Sequence, residues 1–177
     1  MGYNINSIKM IISDIDGVWT DGCVYIGNEN YEMKKFNVND GAGVALLRVS
    51  GIKLALISGR KSVATKLRAA ELKIEDLYNG TLNKIIPYEE LKLKYNLKDS
   101  EIAYVGDDLI DIPVMEKVAV PIATQNAVDL CKKTSVHVTS KSGGEGAFRE
   151  AVEWILSEQG RLNQVILDLK NKVFELK

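Results

Sequence analysis

Apolar residues along this chain fall into short dense runs separated by stretches of helical spacing. "IKMIIS" (8–13), "IKLALIS" (52–58), "IAYVG" (102–106) and "VAVPIA" (118–123) are apolar at most positions, with Lys9 and Lys53 near the start of the first two. That is the pattern of strands buried on both faces. Between them, "GAGVALLRVS" (41–50), "SVATKLRAAELK" (62–73), "NKIIPYEELKLKYN" (83–96), "LIDIPVMEK" (109–117) and "GAFREAVEWILSEQG" (146–160) carry helical patterns. Strand and helix in alternation predict an α/β fold: a doubly wound parallel sheet covered on both faces. One piece breaks the alternation. "CVYIGNENYEMKKF" (23–36) has two β-prone runs around "GNEN" and predicts a β-hairpin inserted after the first strand. The C-terminal stretch, about 161–177, has Leu162, Val165, Ile166, Leu169, Val173 and Leu176 on one helical stripe. It either packs on its own domain or docks on a neighbouring subunit.

The 177 residues suit one domain spanning 1–177, and 46% hydrophobic residues suffice for a core. A formal net charge of −1 gives no basic footprint for nucleic acid. No apolar run reaches the ~18 residues that span a bilayer. "MGYNINSIKM" lacks the basic-then-apolar pattern of a secretory signal, and Asn6 stands where a myristoylation signal wants Ser or Thr. A cytoplasmic location is expected. Cys23 and Cys131 are far apart, which gives little reason for a disulfide. The lone His137 excludes a multi-histidine metal centre, so a bound metal would sit on oxygen ligands.

"DIDGVWTDG" (14–22) directly follows the first strand and sets Asp14 two residues from Asp16. Two like charges 4 Å apart cost about 4 kcal/mol at an effective dielectric of 20. Either a cation offsets this or one proton stays on. "YVGDDLIDIP" (104–113) brings Asp107, Asp108 and Asp111 to the end of another strand. In an open α/β sheet, ligands bind at the carboxyl ends of strands where strand order reverses. If the two clusters share one cation, strand 8–13 lies beside strand 102–105. Strand 52–57 then takes its other side, and Asp14 marks the switch point. Carboxylates without His or Cys select a hard ion, and Mg²⁺ is the usual one beside a substrate phosphate.

The arrangement "DxDGxxTDG" and "GDDxxD" resembles the haloacid dehalogenase superfamily of phosphotransferases. The resemblance implies a Rossmann-like core and Mg²⁺-dependent hydrolysis of a phosphate ester. Asp14 would attack phosphorus and carry an aspartyl phosphate. Asp16 would protonate the leaving alkoxide and then deprotonate water. Asp14 and Asp107 would hold the metal with the Asp16 backbone carbonyl, and Asp108 and Asp111 would support them from behind or as weaker ligands. Ser58, in "LISGR", would donate to a phosphoryl oxygen, and Lys84, in "TLNK", would neutralise phosphoryl charge.

Many such phosphatases carry a cap domain, and the spacing here leaves no room for one. The chain is therefore expected to form a homo-oligomer in which a neighbour closes the site, with hairpin 23–36 in the contact. "DGVWTDG", "FNVNDG", "SGRKS", "AYVGDDLIDIPVMEKV" and "GGEGAFREAVEWILSEQGRL" resemble the capless 3-deoxy-D-manno-octulosonate 8-phosphate phosphatases. That family implies a homotetramer serving lipopolysaccharide synthesis in a Gram-negative cytoplasm. It also puts Asp16, Asn37, Asp40, Gly41, Arg60, Arg68 and Lys84 at substrate-contacting positions. Arginines there would grip the carboxylate and phosphate of the sugar acid. The chain departs from the family at Trp19, where Leu is usual, a packing change expected near the mouth of the site. It departs too at Asn39 and Ala45, where some members carry arginines. Those two losses keep a nine-carbon keto acid 9-phosphate open as the alternative substrate, while Arg60 and the tail "EQGRL" favour the eight-carbon one. A third reading is a non-catalytic oligomerisation module of the same fold.

Overall fold

The computed structural model describes residues 4–28 and 31–175, with side chains described up to 172. Val173 and Leu176 of the C-terminal stripe lie outside the described side chains.

Six parallel strands form one sheet: β1 (Met10–Ser13), β4 (Lys53–Ser58), β5 (Asp76–Asn79), β6 (Ile102–Gly106), β7 (Val120–Ala123) and β8 (His137–Val138), in the order β5-β4-β1-β6-β7-β8. β1 lies between β4 and β6, with Ser13 in register with Leu56 and Val105. The chain winds outward through β4 and β5, returns, and winds outward again through β6, β7 and β8. The reversal falls at the carboxyl end of β1. All four β1 residues are buried, as a central strand covered on both faces requires.

One face of the sheet carries α1 (Val38–Ser50), α6 (Ala147–Glu158) and α7 (Leu162–Glu175). Ile11, Leu56 and Val105 meet Leu47, Phe148, Val152 and Ile155 there, and Ala69 of α2 (Val63–Glu71) joins them. The other face carries α3 (Ile85–Tyr95), α4 (Ile112–Met115) and α5 (Asp129–Thr134). Ile12, Ile57 and Tyr104 meet Tyr88, Leu91, Val114 and Cys131 on that side. Helix α7 packs on its own chain: Val165 is buried, and Leu162, Ile166 and Leu169 lie against the first core. Trp19 is likewise a core residue and not part of the mouth. It stacks on Phe148 with ring centroids 4.2 Å apart and donates Nε1–H to Ser13 Oγ at 3.0 Å.

The hairpin pairs β2 (Tyr25–Ile26) with β3 (Glu32–Met33). Among the described residues one isolated backbone bridge, Thr20 to Phe36, closes its base. The predicted helix 109–117 is broken. A 3-10 turn over Leu109–Asp111 precedes the four residues of α4. The Asp111 carboxylate turns back to accept from the amides of Asp107 and Asp108, which tightens the first turn.

Candidate active site

Loop 14–22 leaves β1 through Gly17, whose φ of +92° lies in the left-handed region. A Cβ there would stand 1.9 Å from Asp107 Oδ2. Glycine is therefore what lets the loop after β1 close upon the loop after β6. The Gly17 carbonyl accepts from Asn126 Nδ2 at 3.1 Å and Thr124 Oγ1 at 3.4 Å. The double glycine of "GGEG" seals the same loop from outside. A Cβ on Gly143 would fall 1.9 Å from the Gly17 oxygen. Asn126 Oδ1 accepts from Gly143 N at 2.6 Å, joining the two loops through one amide. The glycine-rich loop thus braces the site of its own chain.

Within this frame Asp14, Asp107 and Asp111 each bring a carboxylate oxygen within 4.8 Å of the others. Lys84 lies among them, 2% exposed, with Nζ 2.6 Å from Asp14 Oδ1 and 2.7 Å from Asp111 Oδ1. Burial alone would lower its pKa, but the two carboxylates outweigh it and hold the ammonium above its usual value. Lys84 is thus no solvated surface lysine. Asp111 is fully occupied: Oδ1 also accepts from Tyr104 Oη at 2.6 Å, and Oδ2 accepts the amides of Asp107 and Asp108 at 3.0 and 3.1 Å. It organises the loop and has no oxygen left for a ligand. Asp108 caps the 3-10 turn, accepting from Leu109 N, and is exposed.

Asp14 and Asp107 are different. Burial, then the Asp111 charge, pushes Asp14 up to about 7 despite Lys84. Burial, then Asp14 and Asp111, pushes Asp107 up to about 9. Asp107 Oδ1 is buried and has no hydrogen-bond partner among the described residues, and Asp14 Oδ1 has the ammonium as neighbour but no aligned donor. Oxygens left in this state at a strand switch point fit a hard divalent cation, which would relieve the repulsion and satisfy the orphaned lone pairs.

A cleft of about 170 Å³ opens above these groups, lined by Asp14, Asp16, Gly59, Arg60, Leu82, Asp108 and Ile110. Ser58 is buried at the end of β4, its Oγ 2.9 Å from the Arg60 carbonyl and 3.4 Å from Asp16 Oδ2. Arg60 is held at the rim by Glu32 of the hairpin at 2.8 Å. The remaining residues marked by family resemblance stand elsewhere. Asn37 caps α1 by accepting from Asn39 N and donates to the Gly144 carbonyl. Asp40 is buried and accepts from Arg149 N at 3.0 Å. Gly41 lies against Leu72 and Arg68, and Arg68 pairs with Glu71 while reaching the Asn37 carbonyl. These four gather where the N-terminal end of α1 meets Arg68 of α2 and do not line the cleft of this chain.

Sequence reasoning missed Lys34, Tyr104, Thr124 and Asn126. Lys34 reaches Asp16, with Nζ 2.6 Å from Oδ1. Nothing in "MKKF" distinguishes it from Lys35, because its role depends on how the hairpin folds back. Tyr104 had a faint signal, a polar tip inside an apolar strand beside an acidic loop.

Two parallel-strand ends, a carboxylate pair facing across them and a buried lysine define a site for phosphoryl chemistry of the haloacid dehalogenase type. Residues 67–149 match the family described as haloacid dehalogenase-like hydrolase. The 3-deoxy-D-manno-octulosonate 8-phosphate phosphatase of Escherichia coli K12 is 43% identical over 158 residues, covering 89% of this chain and 84% of the relative. The crystal structure of the Yersinia pestis phosphatase of the same name superposes with a TM-score of 0.87 at 40% identity, covering 90% of this chain and 86% of that one. The Moraxella catarrhalis phosphatase, solved with magnesium, phosphate and the sugar acid, superposes at 0.88 with 36% identity, covering 92% and 94%. This chain belongs to the haloacid dehalogenase-like hydrolases, and within them to the 3-deoxy-D-manno-octulosonate 8-phosphate phosphatase family.

Proposed function

We propose that this chain is a Mg²⁺-dependent phosphatase that hydrolyses 3-deoxy-D-manno-octulosonate 8-phosphate through an aspartyl phosphate on Asp14. The observation that carries the reading is the triad of Asp14, Asp107 and Lys84 at the strand switch point. Asp14 and Asp107, with the Asp16 backbone carbonyl, would hold Mg²⁺, which supplies positive charge to the phosphoryl oxygens when bound. An Asp14 oxygen bonds to phosphorus as the ester P–O bond breaks. The Asp16 carboxyl gives its proton to the departing sugar oxygen. Water then attacks phosphorus, Asp16 takes a proton from it, and the P–O bond to Asp14 breaks to release phosphate. Lys84 and Ser58 stabilise charge on the transferring group. Arg60, which lines the rim of the cleft, would meet the anionic end of a sugar acid.

No described helix is long and apolar enough to cross a membrane. A cytoplasmic location and a homotetramer in which neighbours close the open cleft complete the reading. Light scattering at micromolar concentration is expected to give the mass of four chains, and a monomer mass contradicts the closure argument. The substrate test compares phosphate release from the eight-carbon 8-phosphate with release from a nine-carbon keto acid 9-phosphate, each with Mg²⁺. A preference of at least about tenfold in kcat/KM for the eight-carbon ester is expected, the scale of one lost polar contact or a misfitted carbon. The reverse preference would assign specificity to Asn39 and Ala45 in place of Arg60.

A further inference from the structure

The returning arm of the hairpin lies upon the site: Glu32 opens β3, and Lys34 is the first residue after it. Glu32 reaches Arg60 and Lys34 reaches Asp16. The Lys34 side chain is 1% exposed, its Nζ 2.6 Å from Asp16 Oδ1 and 3.3 Å from Thr65 Oγ1. Lys35 shows the ordinary alternative: it pairs with Glu145 at the surface, both side chains about half exposed. A lysine just past the end of a two-residue strand could put its ammonium in water on its flexible stem. Burying it is costly unless its partners repay the lost hydration. Among the described residues Asp16 has no other ionic partner, and its Oδ2 meets only Ser58 Oγ at 3.4 Å.

We propose that Lys34 is a positioning residue that holds the Asp16 carboxyl in the orientation from which it passes its proton. The inference rests on the phosphatase reading above. Asp16 must deliver a proton to one oxygen and then take one from water at the same place. Such transfers tolerate little misplacement, and a carboxyl on a loop needs an anchor to meet that demand. Lys34 supplies the anchor, Thr65 fixes Lys34 from helix α2, and the hairpin becomes part of the catalytic apparatus of its own chain.

The leaving group reads this role directly. An alkyl phosphate such as the sugar 8-phosphate needs a proton on its departing oxygen, whereas p-nitrophenolate departs without one. The quantity to compare is kcat/KM, which reports only steps up to the first phosphoryl transfer. Lys34→Met is expected to lower kcat/KM for the sugar phosphate by roughly 30-fold or more, within the range of a misplaced general acid. For p-nitrophenyl phosphate the loss is expected to stay below about threefold. Lys34→Gln, which keeps a donor, is expected to recover part of the loss. Lys34→Met added to Asp16→Asn is expected to cost nothing further. Should Lys34→Met not fold by thermal melting, Thr65→Val removes only the hydroxyl behind Lys34 and is expected to bias the two esters in the same direction. Equal losses on both esters, or none, overturn the proposal while leaving the phosphatase reading intact. Wild-type protein that releases phosphate from neither ester overturns that reading, and the proposal falls with it.

Discussion

Asp40 is a carboxylate with none of its surface exposed, and among the described residues only one of its oxygens, Oδ1, has a hydrogen-bond donor. Burial pushes its pKa up to about 6 against the pull of the Arg149 amide and of Arg68, Lys141 and Arg149. An unfolded aspartate titrates near 3.9. Between those values the folded state holds a proton that the unfolded state has lost, so this group's contribution falls as pH rises through that window. Above it the protein carries the full cost of a buried charge. Asp40→Asn keeps the acceptor for Arg149 and carries no charge at any pH. At pH 8 the variant is expected to exceed wild type in stability by about 1–3 kcal/mol, with the gap closing below about pH 4. Urea melts at several pH values check this, and a pH-independent gap contradicts it. The resemblance marked Asp40 as a substrate position, but its burial under α6 is not visible in "FNVNDG". A buried and an exposed Asp look alike until the partner helix is placed.

Among the elements, the loops after β1, β6 and β8 meet at glycines, and close packing there sets the site. Gly143→Ala would drive a methyl into the Gly17 carbonyl, which as backbone cannot rotate away. Gly160, at φ +66°, has open space around it, so Gly160→Ala meets only backbone strain, of about 1 kcal/mol. Gly143→Ala is therefore expected to cost at least about 3 kcal/mol and to abolish Mg²⁺ stabilisation if it folds, since it displaces Gly17 from Asp107. Paired thermal melts with and without Mg²⁺ test this. Equal, small effects of the two substitutions would remove the loop-bracing role. The strands that position these loops were legible where apolar runs were continuous, as at β1, β4, β6 and β7. β5 was not, because "IEDLYNG" is short, acidic and only partly buried at the sheet edge. β8 was not either, being two residues in the polar stretch "TSVHVTSKS" at the opposite edge. Helix 109–117 was overextended because apolar periodicity cannot reveal that Asp111 turns back on the preceding amides.

At the scale of the whole molecule, the order β5-β4-β1-β6-β7-β8 converts two distant acidic motifs into one centre. The centre of that order, β4-β1-β6, is legible in the motifs themselves: a shared cation requires β6 beside β1 and leaves the other side to β4. What the motifs could not give was the reach of the hairpin, whose lysine enters the site by tertiary folding alone. A cation held by Asp14 and Asp107 binds the native state and not the unfolded chain. At a hundredfold excess over its Kd it adds about 2.7 kcal/mol. For a chain of this size that raises the melting midpoint by roughly 5–10 °C. Asp107→Asn is expected to remove most of the rise, and midpoints that do not move with Mg²⁺ in wild type would argue against the shared centre.

The most direct test of the account is phosphate release from 3-deoxy-D-manno-octulosonate 8-phosphate, measured on wild type with Mg²⁺, on wild type with excess EDTA, and on Asp14→Asn with Mg²⁺. Steady release is expected in the first case only, with Asp14→Asn below a few per cent of wild type and melting as a folded protein. Release that persists in EDTA or in Asp14→Asn would contradict the assignment of this carboxylate and its metal to the chemistry. No release in any of the three would leave the carboxylate centre without the reaction proposed for it.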